Sequence, residues 1–97
     1  MPEMHFLVRW PDGKEDRCYS PSLIVRDYLE AGKTYKVDDF LDKSRTMLNI
    51  ASERVKAKFG YYCSAAMEQL DAIESRAAAF PPEENVTVVD LEVPAGY

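Results

Sequence analysis

Hydrophobic and polar residues alternate at the start of the chain. The apolar positions on one face are Met4, Phe6, Val8 and Trp10. A period of two, with aromatic and β-branched residues, predicts a half-buried strand over residues 4–10. Pro11-Asp12-Gly13 then predicts a three-residue turn, because Gly13 accepts a positive φ. A second strand over residues 15–19 completes the predicted β-hairpin.

The length of this turn determines which residues face each other across the hairpin. The predicted pairs are Trp10 with Lys14, Arg9 with Glu15, Val8 with Asp16, Phe6 with Cys18, and His5 with Tyr19. Opposite residues point to the same face of a sheet, so we expect Cys18 in the core beside Phe6. His5 is expected on the other face, and Arg9 should form an ion pair with Glu15.

The segment after the hairpin has two interpretations. Apolar residues at helical spacing over residues 21–29 favour a short helix, with Ser20 as its N-cap and Pro21 at its first position. Ile24 and Val25 are β-branched and lower helix propensity, so an extended segment remains the alternative.

Two long helices are predicted in the middle of the chain. The first follows Asp38 as its N-cap and ends at Gly60. Its apolar stripe consists of Phe40, Leu41, Met47, Leu48, Ala51, Val55 and Phe59. The second begins with Ser64 as its N-cap and ends before Pro81-Pro82, since proline cannot continue a helix. The short loop between them predicts an antiparallel pair.

The last element is a strand over residues 86–93, followed by a loose tail at 94–97. Residues 33–37 are a linker or a short strand. The predicted fold is a single α+β domain over residues 1–97, a two-layer sandwich in the order ββααα-β. Its mostly antiparallel sheet has three strands, the N-terminal hairpin plus the C-terminal strand, and packs on the pair of long helices. The position of the last strand in the sheet stays open.

Charged residues are distributed unevenly along the chain, whose formal net charge is −5. Residues 1–60 carry 11 bases and 10 acids, whereas residues 61–97 carry one base and seven acids. An acidic chain gains no counterion release on nucleic acid and is not attracted to anionic membranes, so we expect neither partner. The acidic C-terminal third is either a solvated surface or a docking surface for a basic partner.

The N-terminal residues lack the basic and apolar segments of a signal peptide, and the apolar runs are too short to span a bilayer. Cys18 and Cys63 are far apart and form neither a disulfide framework nor a ligand-spaced pair. These features together predict a cytoplasmic protein.

No catalytic, metal-binding or cofactor-binding set is predicted. A structural zinc site needs four nitrogen or sulfur ligands, and the chain has one histidine and two separated cysteines. The predicted register places His5 and Cys18 on opposite faces, which argues against a Cys–His dyad. Cys63 precedes a predicted helix, where the positive end of the dipole could stabilise its thiolate. The protein is therefore expected to be non-enzymatic, with a minimal thiol enzyme as an alternative.

Two groups of residues are candidate binding surfaces. The first is the exposed sheet face of His5, Leu7, Arg9, Arg17 and Tyr19. A patch that mixes Tyr, Arg and Leu is typical of protein interfaces and predicts contact with a protein partner or a second copy. The second group is a candidate small-molecule or anion site made of Ser20, Ser22, Arg45, Arg54, Cys63 and Ser64. Hydroxyls, helix-start amides and guanidinium groups suit an anion.

Several segments carry a family resemblance. They are residues 4–13, 17–22, 39–40, 44–45 and 50–55, and Cys63-Ser64 after Gly60. Together they resemble the small bacterial family of nitrogen starvation response proteins, first named from mycobacteria, over residues 2–92. The resemblance implies gene clusters with a nitrilase, a radical S-adenosylmethionine enzyme, an acetyltransferase and a flavoprotein. It implies a role in nitrile-related nitrogen metabolism and no particular catalytic residue.

The leading hypothesis from the sequence is a non-enzymatic accessory or interaction protein that works beside enzymes of nitrogen metabolism. The alternative is a small-molecule or anion-binding protein, or a minimal thiol enzyme, at the Cys63-Ser64 helix start. A nucleic-acid regulator is disfavoured by the net charge and by the lack of a recognition motif.

Overall fold

In the computed structural model, which describes residues 2–97, two long helices cover one face of a four-stranded antiparallel sheet. The strands are β1 (Met4–Arg9), β2 (Glu15–Ser20), β3 (Thr34–Lys36) and β4 (Asn85–Glu92), and their order in the sheet is β2-β1-β4-β3. The helices are α1 (Val37–Phe59) and α2 (Ser64–Ala77). The α+β two-layer class is confirmed, but the sheet has four strands where three were predicted.

The N-terminal hairpin forms with the predicted register. Phe6 pairs with Cys18, and His5 pairs with Tyr19. Phe6 and Cys18 are buried, whereas the His5 ring packs edge-on against Tyr19 with centroids 5.6 Å apart. The predicted Arg9–Glu15 ion pair is present at 2.7 Å. It is exposed and contributes little stability.

The C-terminal strand occupies the centre of the sheet, between β1 and β3. Its pairing with β1 shifts register, because Leu7 faces Asp90 whereas Val8 faces Val88, which leaves Val89 as an extra residue. A β-bulge of this kind interrupts the alternation of inward and outward side chains. Val88 is therefore fully buried, whereas Val89, predicted to alternate regularly with Asp90, is only partly buried.

The sequence predicts a linker or a short strand over residues 33–37. Thr34–Lys36 form the short edge strand β3, whose three residues pair with the beginning of β4. Tyr35, opposite the buried Val86, packs against the core, and its hydroxyl accepts a hydrogen bond from the Glu30 amide at 2.9 Å. This strand depends on β4, about fifty residues away in sequence, for all its pairing.

The segment after β2 is a 3-10 helix over Leu23–Asp27, not the α-helix favoured by its spacing. Its N-cap is Ser22, whose hydroxyl accepts a hydrogen bond from the Ile24 amide at 3.3 Å. Ser20, the predicted cap, is the last residue of β2 and is buried. Ile24 and Val25 are buried, so tertiary packing holds a short helical turn that these β-branched residues favour weakly on their own.

The long helices begin earlier than predicted, α1 by two residues and α2 by one. Lys36 is the N-cap of α1 and Cys63 that of α2, so the predicted caps Asp38 and Ser64 lie inside the first turns. The end of α1 is as predicted, since Gly60 has a φ of 84° and its amide bonds to the Lys56 carbonyl at 2.8 Å. The second helix ends at Ala77 and turns once more before the prolines.

Candidate functional site

An open groove lies where α1 ends, α2 begins and β2 leaves the sheet. Its volume is about 390 Å³, which is within the range of small-molecule sites. The residues that line it are Glu3, Tyr19, Pro21, Val55, Phe59, Tyr61, Tyr62, Cys63, Ser64 and Ala65. They come from the residue before β1, from the end of β2, and from the stretch 55–65 that includes the end of α1 and the start of α2. These three segments are distant in sequence.

Aromatic side chains dominate the rim of this groove, which we call the aromatic groove. Phe59, Tyr61 and Tyr62 have relative exposures of 49%, 65% and 52%. The left-handed backbone of Gly60 ends α1 and redirects the chain, so that Tyr61 and Tyr62 project at the surface instead of continuing the helix. Phe59 was predicted to belong to the core stripe of α1, and the structure corrects this: half of its surface is exposed.

A carboxylate stands beside these rings. The Tyr19 hydroxyl donates a hydrogen bond to Glu3 Oε2 at 2.9 Å. The Tyr19 amide donates to Gln69 Oε1, also at 2.9 Å, which links the end of β2 to α2. Burial, together with the hydrogen bond and the charge of Glu3, raises the pKa of Tyr19 to about 12, so the hydroxyl keeps its proton and stays a donor to the carboxylate.

Two lysines of α1 contact the rings of the groove. Lys56 Nζ lies 4.4 Å from the centroid of the Tyr62 ring and 3.1 Å from the Tyr62 hydroxyl oxygen, to which it donates. Lys58 Nζ lies 5.6 Å from the centroid of the Phe59 ring. Neither lysine is among the residues that line the groove. The rings of the rim are therefore already in contact with ammonium groups at the protein surface.

The six residues of the predicted anion site do not form one site. Cys63 and Ser64 line the aromatic groove, but Ser20 and Ser22 are buried. The Ser20 hydroxyl donates a hydrogen bond to the Ser22 carbonyl and accepts one from the Ser22 amide. The Arg54 guanidinium donates to Ser22 Oγ at 2.9 Å, so it is a hydrogen-bond partner of a buried hydroxyl.

Arg45 lies elsewhere and pairs with Glu74 of α2 at 3.0 Å. This pair joins the two helices on their exposed side. Both arginines predicted to bind an anion thus bond to residues of the fold instead. The groove is lined by the Glu3 carboxylate and not by the expected bases.

The two thiols have different environments. Cys18 is buried, and burial is the main reason why its pKa rises to about 12, with a smaller contribution from the charge of Asp16. His5 lies on the opposite face of the sheet, so the structure separates Cys18 from the imidazole. Cys63 is partly buried at the start of α2 and faces the groove. Residues 2–97 contain no cluster of three side chains suited to hold a metal ion.

The predicted contact face is assembled on the side of the sheet that the helices leave uncovered. His5, Leu7 and Tyr19 are partly buried there, and the two arginines are exposed. Arg17 Nε donates to Glu92 of β4 at 2.6 Å, while Arg9 pairs with Glu15. Both arginines of this face are therefore paired within the chain, whereas Asp90 of β4, opposite Leu7, forms no ion pair among residues 2–97.

The sequence interpretation missed Glu3, Phe59, Tyr61 and Tyr62. A signal for the last three is present, since Phe59-Gly60-Tyr61-Tyr62 places aromatics on both sides of a glycine that ends a helix. Aromatic residues in such a connection have little opportunity to reach the core. Glu3 carried no signal, because its position beside Tyr19 depends on the hairpin and the tertiary fold.

The fold is a small α+β sandwich, and the groove is an open concavity rimmed by aromatic side chains. The family model described as nitrogen starvation-induced protein NitG matches residues 5–91. The chain therefore belongs to this family, which confirms the family resemblance seen in its motifs. No curated protein matches the chain, and no solved structure does either. Within residues 2–97, neither helix combines the length and apolar character needed to cross a membrane.

Proposed function

We propose that this nitrogen starvation-induced protein is a non-enzymatic accessory protein that binds a small molecule in the aromatic groove. The observation that carries the proposal is the groove itself, where three half-exposed aromatic side chains surround about 390 Å³ of open volume beside a carboxylate. Exposed aromatic residues that share one concave surface are typical of binding sites, because rings lose little conformational entropy on contact.

The positions of the reactive groups support binding over chemistry. The Cys18 thiol is buried and protonated, and the sheet separates it from the imidazole of His5. Cys63 faces the groove, where the lining residues with acid–base character are carboxylate and phenol groups. A thiol nucleophile is normally activated by a cation, an imidazole or a helix N-terminus. Cys63 has the start of α2, but neither a cation nor an imidazole lines the groove.

We propose further that the protein acts in the cytoplasm, beside enzymes that release or consume nitrogen-containing metabolites. Membership in a family described as nitrogen starvation-induced supports a role in nitrogen metabolism. The nitrile-related branch is part of the hypothesis and comes from the family resemblance.

The binding proposal can be tested by titrating the ¹⁵N-labelled chain with benzylamine, benzyl alcohol and benzoate, which share one ring and differ in charge. At least one of them should shift amide signals of residues 59–65 in a saturable way. Tyr62→Leu should weaken this binding, whereas Tyr97→Leu, at an equally exposed tyrosine outside the groove, should not. Shifts confined to other surfaces, or none with any probe, would refute a groove-centred function.

The uncovered sheet face supports a second candidate, contact with a second copy of this chain. On this face β1 and β2 carry Arg9 and Arg17, whereas β4 carries Asp90 and Glu92. A two-fold axis near Leu7 would bring the two Leu7 side chains into contact and place Asp90 of each copy, which forms no ion pair among residues 2–97, near the paired arginines of the other.

Light scattering after gel filtration tests this second candidate. We expect a dimer that Leu7→Glu converts to a monomer. Ala79→Glu, which adds the same charge at an exposed site near the end of α2, should leave the dimer intact. A wild-type protein that stays monomeric at high concentration contradicts the candidate and leaves the groove proposal untouched.

A further inference from the structure

We infer that the aromatic groove binds a small organic ammonium ion, an alkylated amine held between aromatic rings and the Glu3 carboxylate. The inference rests on the proposed function and names the chemical class of its ligand. Aromatic faces attract cations through their quadrupole, and a carboxylate adds direct charge attraction. The two features occur here in one concave surface.

The charge of the groove favours a cation. Among its ten lining residues, all from the described part of the chain, Glu3 carries the one charged side chain. Arg54 and Lys56 lie outside the lining, where Arg54 donates to Ser22 and Lys56 contacts the Tyr62 ring. Glu3 would attract an ammonium ion inside the groove and repel an anion, and none of the ten lining residues is a base.

The hydrogen bond from Tyr19 fixes where the carboxylate lies. Tyr19 donates to Oε2 of Glu3, and Tyr19 is itself held by the bond between its amide and Gln69. The second carboxylate oxygen, Oε1, accepts no hydrogen bond from residues 2–97, which leaves it to face the positive charge of a ligand. A carboxylate positioned in this way offers one oxygen toward a ligand.

Two aromatic rings of the groove already contact ammonium groups within the chain. The ammonium group of Lys56 lies over Tyr62, and that of Lys58 over Phe59. Both lysine side chains are exposed, so these contacts form where water competes freely. Tyr61, next to Phe59 with ring centroids 6.1 Å apart, adds a further face to the same rim. A ligand inside the groove would meet these rings together, with less water than the lysines have.

The decisive experiment compares choline with 3,3-dimethyl-1-butanol, in which carbon replaces the quaternary nitrogen and the shape is kept. Both are titrated into the ¹⁵N-labelled full chain, with 3,3-dimethylbutyrate as the anionic counterpart. Choline should shift amide signals of residues 59–65 and bind about tenfold more tightly than the alcohol. The butyrate should bind most weakly.

Variants then assign the effect to particular groups. Glu3→Gln keeps the hydrogen-bond acceptor for Tyr19 and removes the charge, so it should weaken choline binding about tenfold without changing binding of the alcohol. Glu84→Gln removes an exposed carboxylate in the loop after α2 and should change neither. Unchanged amide signals in the core, including Phe6 and Leu48, show that each variant is folded.

Three outcomes overturn the inference. Equal affinity for choline and the alcohol would mean an apolar groove without charge selectivity, and the proposed binding function would survive. Tighter binding of 3,3-dimethylbutyrate would mean that the groove prefers anions. If none of the three probes shifts residues 59–65, the ammonium inference is wrong. If the aromatic fragments also fail to shift these residues, the choice of groove is wrong as well.

Discussion

Arg76 of α2 donates a hydrogen bond to Asp16 of β2, with Nε 2.8 Å from Oδ2. The same carboxylate oxygen accepts from the indole Nε1 of Trp10, also at 2.8 Å. The guanidinium carbon of Arg76 lies 5.8 Å from the centroid of the Trp10 ring. Asp16, on the edge strand β2, thus connects this strand with α2 and with Trp10, the largest buried side chain of the core.

Removing this acceptor should destabilise the fold. In Asp16→Ala the indole N–H of Trp10, which is 2% exposed, loses its partner, and a buried donor left unsatisfied costs about 1–3 kcal/mol. We expect a loss of this size in the free energy of unfolding, measured by urea denaturation with far-UV circular dichroism as the signal, which variants without Trp10 also give.

A double-mutant cycle separates the two donors. Trp10→Phe removes the indole N–H, so adding Asp16→Ala to Trp10→Phe should cost much less than Asp16→Ala alone. Arg76→Met, which keeps the side-chain bulk near Trp10, should have the smaller effect because its pair with Asp16 is partly solvated. Additive effects of Trp10→Phe and Asp16→Ala would contradict the shared role of this carboxylate.

The two cysteines should differ in reactivity. Cys18 is 1% exposed and its pKa is raised to about 12, whereas Cys63 faces the aromatic groove. Because the thiolate is the reacting form, iodoacetamide at neutral pH should modify Cys63 of the native protein and leave Cys18 intact. Peptide mapping by mass spectrometry reads the sites, and concentrated urea should expose both. Modification of Cys18 as fast as Cys63 without denaturant would show that the core opens readily.

Most of the hairpin was predictable from local sequence, because a three-residue turn with Gly13 permits one register. From that register follow the burial of Cys18, the outward position of His5 and the Arg9–Glu15 pair. The end of α1 was likewise local, since Gly60 supplies the left-handed conformation itself.

What could not be predicted depends on contacts between distant segments. The edge strand Thr34–Lys36 is stabilised by β4, and the extra residue Val89 appears only when β4 is aligned with β1. Arg45 and Arg54 were expected to hold an anion, but each meets a partner within the fold, Glu74 or Ser22. The groove itself requires three chain segments to meet, so its residues show no common pattern in the sequence.

Stability should fall in alkaline solution. The folded pKa of Cys18, about 12, lies above its ordinary value of 9.0, so the unfolded chain loses this proton first. The stabilisation that the protonated Cys18 thiol contributes to the free energy of unfolding is fully present below pH 9. It is lost as pH rises from 9 to 12, at about 1.4 kcal/mol per pH unit. Tyr19, whose pKa rises from 10.0 to about 12, adds to the loss above pH 10.

Urea denaturation between pH 9 and pH 10 isolates the cysteine. Cys18→Ala lowers stability at every pH but should flatten the slope in this window, because the group that releases the proton is gone. Cys63→Ala is the matched control and should keep the wild-type slope. A slope that persists in Cys18→Ala would assign the alkaline loss to other groups.

The connection that carries the aromatic rim depends on Gly60. Its φ of 84° is a conformation that L-residues adopt at a cost, and a Cβ built at this position has no heavy atom within 4 Å among the described residues. Substitution should therefore strain the backbone without creating a clash. We expect Gly60→Ala to lower the free energy of unfolding by about 1 kcal/mol, and Gly60→Asn to lower it by less, since asparagine tolerates this region better. Thermal denaturation should rank the proteins as wild type, Asn variant and Ala variant. Equal stabilities would contradict the left-handed conformation of Gly60, and with it the positions of Tyr61 and Tyr62 at the rim of the groove.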